Sequence, residues 1–218
     1  MTHDLAFLHT LASNVDVFSA LVTGSRPNLR VRHAVGEGFL NDARSTGVTA
    51  ELASRVQSAM IDLASTGAKV VVCTCSTIGG AAEATDTRGR FVAMRVDRPM
   101  ADCAVKLGPE VLVLAALSST FEPTRALLED SAQRANVPLR LEERLVDGAW
   151  VHFERGDRER YYEVIADAVK RNAAGFGAVV LAQASMAPAA DRCPRVSIPI
   201  LSSPRLGVEA ALRLLPPN

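Results

Sequence analysis

Val71-Val72-Cys73-Thr74-Cys75-Ser76-Thr77 and Val179-Val180-Leu181-Ala182-Gln183-Ala184-Ser185 are the two stretches that decide the fold. Each opens on valines, which suit a buried strand, and closes on small or hydroxyl residues, which suit the turn into a helix. A displacement of about 108 positions lays Cys75 over Gln183, Val56 over Val164, Gly67 over Gly175 and Ala81-Ala82 over Ala189-Ala190. It also carries Leu5 onto Val113 and Thr10 onto Ser118. A displacement of about 111 aligns His33-Ala34-Val35 with Arg144-Leu145-Val146, and one of about 105 aligns Pro99 with Pro204. A single aliphatic match means little, because strands resemble one another. Several in one order at nearly one spacing point to a duplicated half of roughly 105–110 residues.

Outward from these stretches, apolar runs of strand length alternate with amphipathic segments of helix length. In the first half LAFLH (5–9), LRVRHAV (29–35), KVVVCTC (69–75) and FVAMRV (91–96) are expected strands, with helices near 14–23, 49–66 and 78–84 and one from Pro99. In the second half VLVLAAL (111–117), PLRLEERLV (138–146), AVVLAQ (178–183) and VSIPIL (196–201) are the strands. Helices are expected near 122–135, 158–173 and 186–191, with a last one from Pro204. Such alternation predicts parallel sheets flanked by helices.

The composition fits one large or two small aliphatic cores, with 48% hydrophobic and only 5% aromatic residues among 218. Lys+Arg and Asp+Glu both number 24, so no long-range field recruits nucleic acid or an anionic membrane, and a small-molecule partner is expected. The first residues show no basic leader or cleavage site, no run reaches membrane-span length, and four cysteines without an export signal suggest reduced thiols. The expected compartment is the cytoplasm. GxGxxG, GxxxxGK[ST] and GxSxG are absent, which argues against dinucleotide, nucleoside-triphosphate and serine-hydrolase chemistry.

Ligands of open parallel sheets bind beyond the carboxyl ends of the strands. Those ends are His9-Thr10, Cys75-Ser76-Thr77, Ser118-Ser119-Thr120 and Gln183-Ala184-Ser185. Hydroxyls beside the unpaired N–H groups of a helix start hold carboxylate oxygens, although Ser and Thr there also serve as plain N-caps. Cys75 sits where the positive end of a helix dipole favours a thiolate, so it can act as base or nucleophile. Cys73, inside the strand, reads as a buried apolar residue, and Cys103 and Cys193 have no motif context. A CxC metal site would need further ligands that the sequence does not offer nearby, so no metal is expected. His9 either orients a substrate oxygen or completes a strand-end polar network. His33 is a weaker candidate, and Trp150 with His152 suggests a cover for the site.

VVVCTCSTIGG resembles the first catalytic strand and turn of the aspartate/glutamate/hydantoin racemase superfamily. VVLAQASMAPAA resembles the second such turn, PILSSPRLGVEA the closing strand and helix, and FVAMRVDRPMADCAV the crossover between halves. The resemblance spans nearly the whole chain. It implies two pseudo-two-fold related α/β lobes, each a parallel four-stranded sheet flanked by helices, over 1–97 plus 202–218 and over 98–201. It also implies cofactor-independent proton transfer at the α-carbon of a small carboxylate between two facing cysteines. Arylmalonate decarboxylases, which manage with one Cys, and maleate isomerases are similar.

This sequence departs from the two-thiol pattern, because Gln183 stands where the second Cys would be and an amide cannot exchange a proton usefully near neutral pH. The resulting expectation is a single-cysteine isomerase or lyase acting on an amino acid, dicarboxylate or malonate-like substrate. Cys75 would be its acid/base, and His9, Thr10, Ser76, Thr77, Ser119, Thr120, Gln183, Ala184 and Ser185 would bind substrate. A carboxylate-binding protein without turnover and a hydrolase with Cys75 as nucleophile beside His9 are the alternatives. A homo-oligomer, a dimer in the first instance, is expected.

Overall fold

A computed structural model describes residues 3–216. In chain order the first elements are β1 (Leu5–His9), α1 (Asn14–Ser25), β2 (Val31–Val35), α2 (Glu37–Thr46), α3 (Ala50–Ser65), β3 (Val70–Cys73), α4 (Ser76–Glu83) and β4 (Val92–Arg95). There follow α5 (Arg98–Ala104), β5 (Glu110–Ala115), α6 (Phe121–Ala135), β6 (Arg140–Leu145), α7 (Ala149–Glu154), α8 (Arg158–Asn172), β7 (Ala178–Leu181), β8 (Ile200–Ser202) and α9 (Ser203–Arg213).

The strands form two four-stranded sheets, ordered β2-β1-β3-β4 and β6-β5-β7-β8, with every pairing parallel. The chain divides into two compact units. One holds the residues through Arg98 together with those from Pro204, and the other runs from Pro99 to Ser203. In each sheet the chain steps from the first strand outward to the second, then returns to place the third on the opposite side. That reversal leaves a switch point between β1 and β3, and another between β5 and β7, where helices diverge to opposite faces and leave a crevice.

Residue chemistry accounts for the layering. β1, β3 and β7 are buried along their whole length, as strands covered on both faces must be. The edge strand β6 (RLEERL) keeps its charges largely in solvent. Against the first sheet α3 lays Leu52, Val56, Met60 and Leu63, a stripe at helical spacing, and Thr49 caps it by accepting from Leu52 N at 3.2 Å. Asp157 caps α8 in the same way. Gly207 lets α9 lie against Val96, just past the end of β4: a Cβ there would stand 2.4 Å from Val96 Cγ2 and 2.5 Å from its carbonyl oxygen.

Several sequence expectations need correction. Two helices, α2 and α7, were not expected; at 10 and 6 residues they are too short for a helical period to show clearly. The helix expected near 186–191 is a 3₁₀ run over Ala184–Arg192 with Pro188 inside, and the strand expected over 196–201 shrinks to β8 behind Pro199, which has no N–H to pair. The duplicated pattern is real in topology, but its register differs. Leu8 pairs with Cys73 as Leu114 pairs with Leu181, so Leu8 matches Leu114 and Thr10 matches Ala116 rather than Ser118. Likewise His9 pairs with Val35 as Ala115 pairs with Leu145, which sets His33 against Glu143 rather than Arg144. Cys75 still matches Gln183. Among the described residues no helix is long and apolar enough to cross a membrane.

Candidate functional site

In the first unit β1 and β3 end together. Thr74 N donates to Leu8 O at 2.9 Å, Gly36 N to His9 O at 2.8 Å and Val96 N to Cys73 O at 2.9 Å, which closes the ladder. Beyond it, the main-chain N–H groups of Thr10 and Leu11 have no hydrogen-bond partner among the described residues. Cys75 is the N-cap residue of α4, in extended conformation (φ −106°, ψ 117°), and its side chain makes no cap bond. The sulfur is therefore not committed to the helix start, and Cys75 keeps 9% exposure while Cys73 keeps none. Burial drives the Cys73 thiol far above its ordinary pKa, and its Sγ points back to Cys75 O at 3.7 Å. Cys73 stays protonated.

The hydroxyls around Cys75 do different work. Ser76 is turned to Asp97, whose carboxylate takes its hydrogen bond. Asp97 in turn forms a buried bidentate pair with Arg95 (Nε to Oδ1 2.7 Å, Nη2 to Oδ2 3.0 Å), and Arg95 Nη2 reaches Ser76 O at 3.3 Å. Burial alone would raise the Asp97 pKa. The Arg95 charge and the hydrogen bonds from Arg95 and Ser76 outweigh it and hold the carboxyl below the ordinary 3.8. This pair clamps the end of β4 to the first turn of α4, and Gly79 makes room for it, since a Cβ there would meet Arg95 Nε at 3.0 Å. Thr10 and Thr77, both nearly buried, make no side-chain hydrogen bond among the described residues, which leaves their hydroxyls open to a ligand.

His9 is placed differently from either expectation that used it chemically. It is fully buried, and both ring nitrogens are engaged: Nδ1 with Thr74 Oγ1 at 2.9 Å and Nε2 with His33 Nδ1 at 2.8 Å. His33 Nε2 meets Ser19 Oγ at 3.1 Å. Thr74, His9, His33 and Ser19 thus form one hydrogen-bonded chain in which each neutral ring uses one nitrogen as donor and the other as acceptor. Burial, and after it His33, bring the His9 pKa from 6.5 down to about 3. Both nitrogens of this neutral ring are taken up within the protein. The ring holds the backbone of Thr74, between the two cysteines, in place.

In the second unit the matching turn is built from other residues. Gln183 has the same extended conformation as Cys75 (φ −118°, ψ 137°) and opens the 3₁₀ run. Its Oε1 accepts from Ala116 N at 2.6 Å and Leu117 N at 3.2 Å. Ser185 Oγ is bonded to the buried Tyr161 Oη at 2.9 Å, and Ala184 offers only a methyl group. Ser119 Oγ is buried without a hydrogen-bond partner among the described residues, and Thr120 is 2% exposed, both in a 3₁₀ turn (Ser118–Thr120) that lies beyond the strand end. Cys193 Sγ faces Ala166 O and Ala189 O and is a packing residue. Among the described residues, no three His, Cys, Asp or Glu side chains gather to hold a metal ion.

Sequence reasoning missed Thr74, Arg95, Asp97 and Tyr161. A signal existed for one pair: Arg95 and Asp97 stand two apart at the end of an apolar strand, on the same face and of opposite charge.

No protein-family model and no curated protein matches the chain. Solved structures do. The Picrophilus torridus aspartate racemase superposes with a TM-score of 0.71 at 12% identity, covering 97% of this chain and 93% of that one. Glutamate racemase from Bacillus anthracis gives 0.70 at 14% identity, over 97% and 81%. Allantoin racemase from Pseudomonas fluorescens gives 0.61 at 16% identity, over 97% and 90%. The chain has the aspartate/glutamate racemase fold.

Proposed function

We propose that this chain is a cofactor-independent isomerase or lyase acting at the α-carbon of a small carboxylate, with Cys75 as its acid/base. The observation that carries this reading is the β3 strand end. Cys75 stands at the switch point with its sulfur unused by the helix, beside the open Thr10 and Leu11 N–H groups and the Thr10 and Thr77 hydroxyls. The shared fold with racemases adds support.

Chemistry of this class is limited by the enolate, which N–H and O–H donors fixed at the oxygen stabilise. In an isomerase step the Cys75 thiolate takes the α-proton, the C–H electron pair passes into the enolate, and the thiol returns the proton to another carbon of a delocalised anion, since return to the α-carbon from the same face would only regenerate the substrate. In a lyase step the C–CO2 bond breaks, CO2 leaves, and the Cys75 thiol protonates the α-carbon before regaining a proton from water. Gln183, at the position matching Cys75, is an amide with no proton to exchange near neutral pH, so chemistry through one thiol is expected.

The test is deuterium incorporation at the α-carbon of amino acids, dicarboxylates and arylmalonates in D2O, with chiral chromatography of the products. Cys75→Ser should lower turnover on the order of 10²–10⁴-fold. Efficient racemisation by the unmodified protein, or full activity in Cys75→Ser, would refute the single-thiol mechanism.

A second reading, a carboxylate-binding protein without turnover, is favoured by the Gln183 amide at the matching position. Protection of Cys75 from iodoacetamide by a carboxylate, without α-proton exchange, would select it.

A further inference from the structure

The second unit contains an oxygen already seated at its switch point. Gln183 Oε1 lies within hydrogen-bond distance of two successive main-chain N–H groups, Ala116 at 2.6 Å and Leu117 at 3.2 Å. The donors decide which end of the amide is which, because an NH2 group could not accept from them. Nε2 has no hydrogen-bond partner among the described residues, so the side chain is held by its oxygen alone. The matching pair in the first unit, Thr10 and Leu11, carries no such oxygen among the described residues, and the residue matching Gln183 there is Cys75.

We propose that the Ala116 and Leu117 N–H pair is a carboxylate-binding seat that Gln183 keeps filled with its own amide oxygen. Two converging N–H donors favour an anionic oxygen over an amide oxygen, since charge-assisted bonds are about twice as strong as neutral ones. A planar carboxamide and a formate ion share the same three-heavy-atom outline, so formate replaces the vacated group without repacking. The consequence is an asymmetric molecule in which the unit bearing the thiol has an open oxygen seat and the other unit's seat is closed from within.

The experiment follows the Ala116 and Leu117 amide resonances by ¹H–¹⁵N NMR of the full chain during a formate titration at constant ionic strength. In the unmodified protein both resonances should stay in place. In Gln183→Ala both should first lose their downfield shift and then regain it saturably, with formate bound at least about tenfold more tightly than by the unmodified protein. Gln183→Met, which fills the space without an acceptor, should lose the downfield shift and not regain it. Gln183→Glu keeps the side-chain length and offers an anionic oxygen, so it should move both resonances further downfield without formate. This variant tests the seat even where the alanine variant fails to fold. The proposal is overturned if formate leaves Ala116 and Leu117 unmoved in a folded Gln183→Ala protein. It is equally overturned if the unmodified protein responds as the alanine variant does, or if Gln183→Glu shifts neither amide.

Discussion

His9 is neutral in the folded chain, and a neutral buried imidazole gives stability a pH dependence. Its folded pKa is about 3 against an ordinary 6.5, so between those values the unfolded chain binds a proton that the folded chain refuses. Stability from this group is complete above 6.5 and falls as the pH drops through that window, by at most about 1.4 kcal/mol per pH unit. Burial lowers the His33 pKa as well, with the same sign. Asp97 acts lower down, because a depressed carboxylate loses its contribution only below the ordinary carboxylate range. Urea unfolding between pH 7.5 and about pH 5 therefore isolates the histidines. The free energy should fall across it, and His9→Gln should flatten the slope. A flat profile for the unmodified protein would contradict the buried neutral network. At this scale the sequence pointed to His9 by its place at a strand end, but a strand end states nothing about which neighbours take its two nitrogens. Thr74 and His33, distant in the chain, decide that.

Among elements, the join between β4 and α4 determines how firmly the Cys75 turn is held. The Arg95–Asp97 pair is nearly inaccessible and reaches both the side chain and the carbonyl of Ser76. Removing one charge strands the other in a poorly solvated place, a loss of about 3–5 kcal/mol. Asp97→Asn should therefore lower the melting temperature of the first unit. Any activity should fall even under conditions where the chain remains folded, because Ser76 and the start of α4 lose their anchor. Circular dichroism alongside the deuterium-exchange assay separates the two effects; an Asp97→Asn protein with unchanged stability would show that the pair contributes nothing net. Element positions were largely legible in the sequence, since valine-rich strands and the α3 stripe declare themselves by periodicity. The exceptions, α2, α7 and the 3₁₀ run at Ala184–Arg192, are short segments whose form depends on packing or on an internal proline.

For the molecule as a whole, the last helix belongs to the unit that begins the chain. Gly207 makes this possible through its contact with Val96, and an added methyl has no space against a backbone carbonyl 2.5 Å away. Gly207→Ala should destabilise by about 1–3 kcal/mol. A single unfolding midpoint is a poor measure for a two-unit chain, so hydrogen exchange with mass spectrometry is the better one. Faster exchange is expected in β1, β3 and β4, with β5 and β7 little changed; the reverse pattern would place α9 in the wrong unit. By itself the sequence determined the α/β alternation, its duplication and the strand-end position of Cys75, because hydrophobic periodicity and turn chemistry are local properties written residue by residue. Only the tertiary structure decided the register of β1 against β5, the commitment of Ser76 to Asp97 and of both His9 nitrogens to Thr74 and His33, and the seating of Gln183 on Ala116 and Leu117. Strand pairing and buried hydrogen bonds join residues far apart in the chain. Which donor meets which acceptor is set by the packing that excludes water from all of them.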